Sequence, residues 1–586
     1  MRKIVASLLI CAMLISACEK TPPVVVEEPS SPVINPVLPT VVDGDGEDVE
    51  DPAVVNPQDP APSLVTPPQV GFEVVFAEDF EGGTSAFTAR GSETLAIVDD
   101  GFQSEKCLVV VDRTAAWNGP KISLTNIVEP GTLYEFRAMI KYDFVPEVTT
   151  ERLTASLEIG LGGVINYSGE AHVQAVLGEW AEIAGTFSTP ENFTSFALYF
   201  EGGAEIDGEF CEIYLDDVEI KKVNAEKLPA DLLPPIFEVH EDYFSIGVGV
   251  VMADLQNSDS AALINHHFNS ITMGNEMKPS SLLDRAGSIA DPDGAPAIRT
   301  AVLDECLSYA RDNGLKMRGH TLVWHEQTPL WFFKEGYSQD VNAANVSREV
   351  MLARLESYIE TVLSYCQENY PGVIYAWDVV NEAIDTASAD ENKIRDMHAG
   401  APNPWYEVVG ADYVEQAFYF ARKYAEDDVK LFYNDYNEYH LNKLMPITAL
   451  LSELKQKDLV DGMGMQAHIG MSDPAVIDFQ WAVLQYAELG LEIQVTELDI
   501  NLGSNSEEDL MRQAIRYRQL MNIFRYCVDN GLANITNVTV WGLSDRDTWL
   551  NFRDGGGRKY PLLFDDYLYP KMAFWGFVLD ESVPHW

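Results

Sequence analysis

The chain has 586 residues, too many for one ordinary domain, and 46% of them are hydrophobic, so a sizeable core can be buried. Its 92 acidic residues stand against 39 basic ones, a formal net charge of -53. That excludes nucleic acid as a partner, because no large basic surface is left to neutralise phosphates, and it suits a body that meets a neutral partner.

In chain order, "MRKIVASLLICAMLISAC" comes first: Arg2 and Lys3, an apolar run too short to span a membrane, then small residues before Cys18. This predicts a targeting segment over residues 1–17. "LISAC" resembles a bacterial lipoprotein signal, which implies lipidation of Cys18; a plain signal peptide cut nearby is the alternative. Residues 18–70 hold about a dozen prolines and many acids and predict an extended linker. The expected localisation is a membrane-anchored lipoprotein at the cell surface or outer membrane of a Gram-negative bacterium, touching the membrane through its lipid alone.

Residues 71–224 read as short alternating strands, among them "LYEFRAMIKY", "SFALYFEG" and "CEIYLDDVEI", separated by glycine-rich or acidic turns. This predicts an antiparallel, jelly-roll-like β-sandwich. From 233 to 586, eight apolar strand-like runs alternate with amphipathic helical stretches: "FSIGVGV", "SITMGNE", "MRGHTLVW", "AWDVVNEA", "LFYNDY", "MGMQAHI", "IQVTELDI" and "VTVWGLSD". Eight such units predict a (β/α)8 TIM barrel. Cys107 and Cys211 either pair with one another or, like Cys306, Cys366 and Cys527, are buried thiols; no CxxC or Cys/His metal spacing occurs.

In a (β/α)8 barrel the active site lies at the C-terminal strand ends. Here those ends carry Asn275, His320, Trp324, Asn381, Glu382, Asn434, Tyr436, Gln466, His468, Glu497, Asp499 and Trp541. Glu382 and Glu497, on the fourth and seventh strands, are placed to face each other across the mouth. Two carboxylates among amides, imidazoles and tryptophans are what glycoside cleavage needs. No metal triad, phosphate loop or Ser/His/Asp order competes, so no cofactor is expected for catalysis.

"RGHTLVWH", "WDVVNEA", "NDYN", "GMGMQAHI" and "VTELDI" together resemble glycoside hydrolase family 10 endo-β-1,4-xylanases. The resemblance implies that Glu382 is the acid/base and Glu497 the nucleophile of a retaining double displacement. It further implies that Asn381 binds the 2-hydroxyl of the attacked sugar, and that His468 and Asp499 orient Glu497. His320, Trp324, Gln466, Trp541 and Trp549 would shape that sugar's site; rim packing is the alternative for Trp541 and Trp549. Asn275 and Lys278 would hold the next glycone sugar, and Tyr436 would lie on the leaving-group side. Trp377 and Asp378 read as scaffold, and His325 as a packed, hydrogen-bonded histidine. The chain departs from the family at Gly274, where a glutamate is usual, and at Pro279, where a tryptophan is common.

The sandwich carries "ARG", "RTAAWNGPKISL", "ALYFEG" and "IYLDDVEI", and resembles family 22 carbohydrate-binding modules. That implies xylan binding through Arg90, Trp117, Tyr199 and Glu201. Members often hold structural calcium, for which "EDFEGG" and "DDVEI" offer oxygens unless they are charged turns. The expected partner is xylan or a related β-1,4-linked plant polysaccharide. Two other readings stand beside the xylanase: a surface glycan-binding protein with an inactive barrel, and an enzyme acting on mixed-linkage β-glucan or cellulose.

Overall fold

The computed structural model describes residues 71–584 apart from 144–149, 162–163, 204, 207–208, 225–227, 292–293 and 554–556. The signal segment, Cys18 and the linker lie outside the described residues.

Among the described residues the N-terminal part is built on two large antiparallel sheets, with a small hairpin of Glu205–Ile206 and Glu209–Phe210 beside them. One runs Thr94–Val98, Cys107–Val111, Glu212–Asn224, Leu133–Asp143, Ala181–Ser188, with Gly71–Glu78 also on Glu212–Asn224. The other runs Thr88–Ala89, Pro120–Ser123, Ser195–Gly202, Thr150–Leu161, Val164–Val176. Their facing sides alternate apolar residues into one core, where Phe187 lies 5.4 Å from both Tyr134 and Phe196 between ring centroids. Cys107 and Cys211 are both buried and unbridged, so the pairing alternative is not realised; Cys211 Sγ instead accepts a 3.2 Å contact from the buried Arg113 guanidinium.

The C-terminal part is a closed parallel barrel. Among the described residues its eight strands are Ser245–Val250, Ser270–Met273, Lys316–Trp324, Ile374–Asn381, Lys430–Asp435, Gly462–Met465, Glu492–Asn501 and Asn534–Val540. The eighth pairs back onto the first with Ser245 opposite Asn537. Parallel strands covered on both faces read as near-continuous apolar runs, which is why each run above is a strand. The outer helices show the complementary pattern: Tyr413–Tyr424 buries Val414, Ala417, Phe418 and Ala421, one stripe at helical spacing. Burial of each large side chain of that kind contributes about 1.5–3 kcal/mol. No helix among the described residues is long and apolar enough to cross a membrane.

One strand departs from its expected form. "MGMQAHI" breaks after Met465, and His468–Gly470 forms a separate strand beside the end of the seventh. The break is at Ala467, whose φ of 58° is left-handed and whose N–H is bonded to Glu438 at 3.1 Å. This turn aims His468 at the seventh strand. Deeper in the barrel, the fully buried Arg318 forks onto Asp378 at 2.6 and 3.0 Å and donates to Gln494 at 2.7 Å. Trp377 packs beside them, 1% exposed, over Gly319; a Cβ on Gly319 would meet the indole at 2.3 Å. Trp377 and Asp378 are therefore scaffold, with Asp378 also fixing His320 through Nδ1 at 2.9 Å.

Candidate active site

The strand ends open into a cleft of about 860 Å3. Asn275, Lys278, His320, Trp324, Asn381, Glu382, Tyr436, Gln466, His468, Glu497, Trp541 and Trp549 all line it; Asp499 sits behind His468 and is buried.

Glu382 follows the last residue of the fourth strand with φ 57°, a conformation rare outside glycine and one that functional sites hold at an energetic cost. Its N–H is tied to the Asn434 carbonyl at 2.8 Å, which holds that turn. Oε1 accepts from Gln466 at 3.0 Å and Asn381 at 3.2 Å, and Oε2 accepts from the Trp324 indole at 3.1 Å. Burial raises its pKa above the ordinary glutamate range; the Gln466 hydrogen bond opposes this, and the charges of Asp435 and Glu497 add to the rise.

Glu497 is handled in the opposite sense. The seventh strand's register against the eighth shifts between Val495 and Leu498, a bulge that re-aims this residue. Oε1 accepts from Asn434 at 2.7 Å, and His468 Nε2 lies 3.1 Å from Oε2. Burial alone would raise its pKa, but the His468 hydrogen bond, the charges of His320 and His468, and the Asn434 amide outweigh it and hold the carboxyl below the ordinary range. His468 in turn has Nδ1 3.0 Å from Asp499 Oδ2, an ion-pair contact off the line of a hydrogen bond. Burial lowers the pKa of His468, yet the Asp499 and Glu497 carboxylates overcome that and push it up to about 10.

Asn434 bridges the two halves: its amide donates to Asn381 at 2.9 Å as well as to Glu497, and its carbonyl accepts from Thr496 at 2.6 Å. Trp549 donates to Asp499 at 2.8 Å and packs 4.7 Å from His468, so it belongs to the cleft wall rather than to rim packing alone. Trp541 packs 5.6 Å from His320 and over Gly249, where a Cβ would strike the indole at 2.7 Å. The Lys278 ammonium sits 4.7 Å over the Trp324 ring, and its burial lowers its pKa. Tyr436 receives Arg395 at 3.2 Å, and the same guanidinium holds the Glu382 carbonyl at 3.1 Å. Arg395 was not foreseen; it sits outside any strand end, and only its position shortly after "NEA" hinted at it.

His325 differs from the expected hydrogen-bonded histidine. It is packed, 5.8 Å from Trp324 between ring centroids, but its buried Nδ1 has no hydrogen-bond partner among the described residues. No short-range sequence pattern reports whether a buried imidazole finds an acceptor.

The pKa directions set a pH dependence. With Glu497 as nucleophile and Glu382 as acid, the roles that the resemblance implies, kcat/KM is expected to be bell-shaped, its acid limb below and its alkaline limb above the ordinary glutamate pKa. His468→Asn removes the imidazolium that lowers Glu497, so the acid limb should move to higher pH. For stability, the raised His468 pKa contributes fully below the unfolded value near 6.5 and is lost as pH rises towards about 10. A pH–rate profile whose acid limb is unmoved by His468→Asn would refute the orienting role.

On the sandwich, Arg90, Trp117, Tyr199 and Glu201 come together. The Arg90 guanidinium lies 3.6 Å over Tyr199 and donates to Glu201 at 3.0 Å, while Ser156 donates to Glu201 at 2.8 Å. Trp117 is 51% exposed, which rules out a core role. Tyr199 is 2% exposed and covered by Arg90, so it supports the guanidinium and offers no free ring face. Tyr167, 60% exposed and 5.1 Å from the guanidinium, supplies the exposed ring that the alternation argument missed, because it stands on a different strand. In the acidic segments, Asp216 accepts from Phe102 N–H, Ser104 and Asp217 N–H, and Glu81 from the N–H groups of Glu105 and Lys106. These carboxylates cap backbone turns.

Residues 236–579 match the model of glycosyl hydrolase family 10, and residues 73–207 match that of a carbohydrate binding domain. Endo-1,4-beta-xylanase A of Thermotoga neapolitana is 35% identical over 539 residues, covering 89% of this chain and 48% of that protein. The chain spans about half the length of the curated relatives it matches. Among solved structures, the CBM22-1 and GH10 modules of Clostridium thermocellum endo-1,4-beta-D-xylanase 10B, complexed with xylohexaose, are 30% identical at a TM-score of 0.56, covering 87% of this chain and 97% of that one. An endo-1,4-beta-xylanase from Caldicellulosiruptor owensensis is 37% identical at a TM-score of 0.50, covering 59% and 99%. With the barrel closed, its polar strand ends gathered in one cleft and the family model matched along its length, the chain belongs to glycosyl hydrolase family 10, with a carbohydrate binding domain ahead of the barrel.

Proposed function

We propose that the protein is a retaining endo-β-1,4-xylanase with an appended xylan-binding module. The observation that carries this is the opposed tuning of two carboxylates in one cleft: Glu382 held towards its acid and Glu497 towards its anion. In the first displacement Glu497 attacks the anomeric carbon while Glu382 gives its proton to the departing oxygen, leaving a glycosyl ester. Glu382 then takes a proton from water, which attacks the same carbon and frees Glu497. The carboxyl groups of such a pair stand roughly 5–5.5 Å apart.

Each remaining residue has a place in that sequence. The Asn381 amide, fixed by Asn434 and Gln466, is offered to the 2-hydroxyl of the attacked sugar. His320, Gln466, Trp324, Trp541 and Trp549 wall that sugar, Asn275 and Lys278 hold the next glycone unit, and Tyr436 faces the leaving group. On the sandwich, the exposed Trp117 and Tyr167 rings flank Arg90 as a platform for a sugar chain. Xylan, arabinoxylan and mixed-linkage β-glucan test the reading together: oligosaccharides from xylan, first seen as the β-anomer, are expected, and faster release from β-glucan would overturn the substrate assignment. Release of the protein from the membrane fraction by Cys18→Ser would support the lipid anchor, and retention would refute it.

Gly274 carries a separate prediction. Its φ is not left-handed, and a Cβ there would meet only Val250 O at 3.5 Å and Val251 Cγ1 at 3.6 Å, ordinary contacts. Backbone strain is therefore no obstacle to Gly274→Glu. A carboxylate beside Lys278 and the second glycone sugar should add a charge-assisted hydrogen bond of about 1.5–3 kcal/mol. We expect kcat/KM on xylotriose and xylotetraose to rise about tenfold, with a smaller gain on long xylan. Unchanged kinetics in a stably folded variant would show that this position does not face the sugar.

A further inference from the structure

Two histidines and a glutamate, side chains of metal-ligand type, converge on the wall of the cleft that holds Glu382. His325 and Glu326 directly follow the third strand, whose last residue, Trp324, donates to Glu382. His398 arrives from elsewhere, on a hairpin of two short strands, Met397–His398 and Ala401–Pro402, in the loop beyond the fourth strand. The two imidazole rings are 4.6 Å apart between centroids. Glu326 Oε1 lies 3.4 Å from His398 Nε2 and 3.8 Å from His325 Nε2. One donor atom from each of the three falls within 4.8 Å of the other two.

These separations suit a small cation better than they suit direct pairing. Bonds of about 2.0–2.1 Å at tetrahedral angles place neighbouring ligand atoms about 3.3 Å apart. The gap from Glu326 to His398, 3.4 Å, already matches that spacing, the gap to His325, 3.8 Å, is about half an ångström wider, and the Glu326 side chain is 44% exposed, so it can close the difference by rotation. Among the described residues, no side-chain hydrogen bond or ion pair ties Glu326 or His398 to a residue outside the cluster. The His325 side chain is 3% exposed and its Nδ1 unpartnered, an imidazole buried without a hydrogen bond to account for it. Two imidazoles and one carboxylate are borderline donors, suited to zinc-like ions rather than to calcium or magnesium, which take oxygen sets.

We infer that His325, Glu326 and His398 form a binding site for one divalent transition-metal ion of the zinc type, completed by water, and that its occupancy hinders sugar binding on the leaving-group side of the cleft. The ion would tie the hairpin to the segment after Trp324, on the cleft wall where the Arg395 charge acts on His325 and Arg395 donates to Tyr436 at 3.2 Å. The unpartnered Nδ1 leaves His325 without the outer hydrogen bond that strengthens metal-bound histidines, so the site should release its ion to a chelator. The effect on turnover rests on the xylanase reading above; the metal site does not.

Calorimetric titration of the full chain, purified without a histidine tag, with Zn2+ tests the site directly. One ion per chain is expected, with Mg2+ and Ca2+ giving no comparable heat. His398→Ala and Glu326→Gln should each weaken Zn2+ binding tenfold or more, whereas His440→Ala, at a separate surface pair with Asp473, should not. Co2+ should give the visible absorption bands of a four-coordinate site, lost in His398→Ala. Absence of 1:1 Zn2+ binding, or binding unchanged in both cluster variants, overturns the site. In the kinetic arm, Zn2+ should lower wild-type kcat/KM on xylan, EDTA should restore it, and His398→Ala should resist it. Stoichiometric Zn2+ binding with unaltered kcat/KM would overturn the hindrance while leaving the site. Failure to cleave xylan at all would count against the xylanase reading and leave the calorimetry decisive for the metal.

Discussion

Glu497→Ala should lower turnover on xylan by about 10^4-fold or more, roughly 5.5 kcal/mol of barrier, because the proposed mechanism then lacks the side chain that forms the glycosyl ester. Glu382→Ala should differ in kind. Removing a general acid costs about 10^2–10^4-fold on unactivated xylan. An aryl xyloside with a good leaving group needs no proton to depart, so its first displacement should survive, and a glycosyl-enzyme should accumulate because the general base is gone. Rapid-quench and steady-state kinetics on both substrates separate the roles. Equal activity of Glu382→Ala and wild type on xylan would reject the acid/base assignment, and substantial turnover in Glu497→Ala would reject the nucleophile.

Asp378→Ala should be the most destabilising single change of a charged residue in the barrel centre. It leaves Arg318, 0% exposed, without its forked partner, and breaking a buried pair from one side costs about 3–5 kcal/mol. At a few degrees per kcal/mol, the melting temperature should fall by roughly 5–15 °C. His320 also loses the acceptor at its Nδ1, so kcat/KM should drop at temperatures where the variant is still folded. Replacing Arg318 and Asp378 together by apolar residues should cost less than Asp378→Ala alone, since no unpaired charge remains. A variant with an unchanged melting temperature would show that the pair contributes nothing to stability.

The eight barrel strands were legible because strands covered on both faces are largely apolar along their length, and because residues suited to sugar chemistry gather at their C-terminal ends. Glu382 and Glu497 stood out as a pair because both acids fall at the C-terminal ends of core strands among amides, imidazoles and tryptophans, and both line the cleft. The sixth strand was misread because alanine is no turn signal, and the left-handed Ala467 is held by Glu438, 29 positions earlier. In the sandwich, alternation on one strand correctly put Tyr199 and Glu201 on one side, but it could not show that Arg90, from a distant loop, covers the Tyr199 ring.

The sequence by itself determined the order of elements, the closed barrel they imply and the chemical types at its mouth, since these follow from local periodicity and from the cost of burying unpaired polar groups. Only the tertiary structure decided which proton state each carboxylate favours. The shift of Glu382 comes from burial, with opposing or supporting contributions from Gln466, Asp435 and Glu497, and that of Glu497 from His468, His320 and Asn434. These partners lie on other strands, up to 177 positions away in the case of His320. It likewise decided that His398 meets His325 across 73 positions, because a hairpin folding back over the cleft wall leaves no periodic mark in the chain. Electrostatic environments depend on distances in space, and residues brought together by chain closure have no fixed spacing from which those distances can be read.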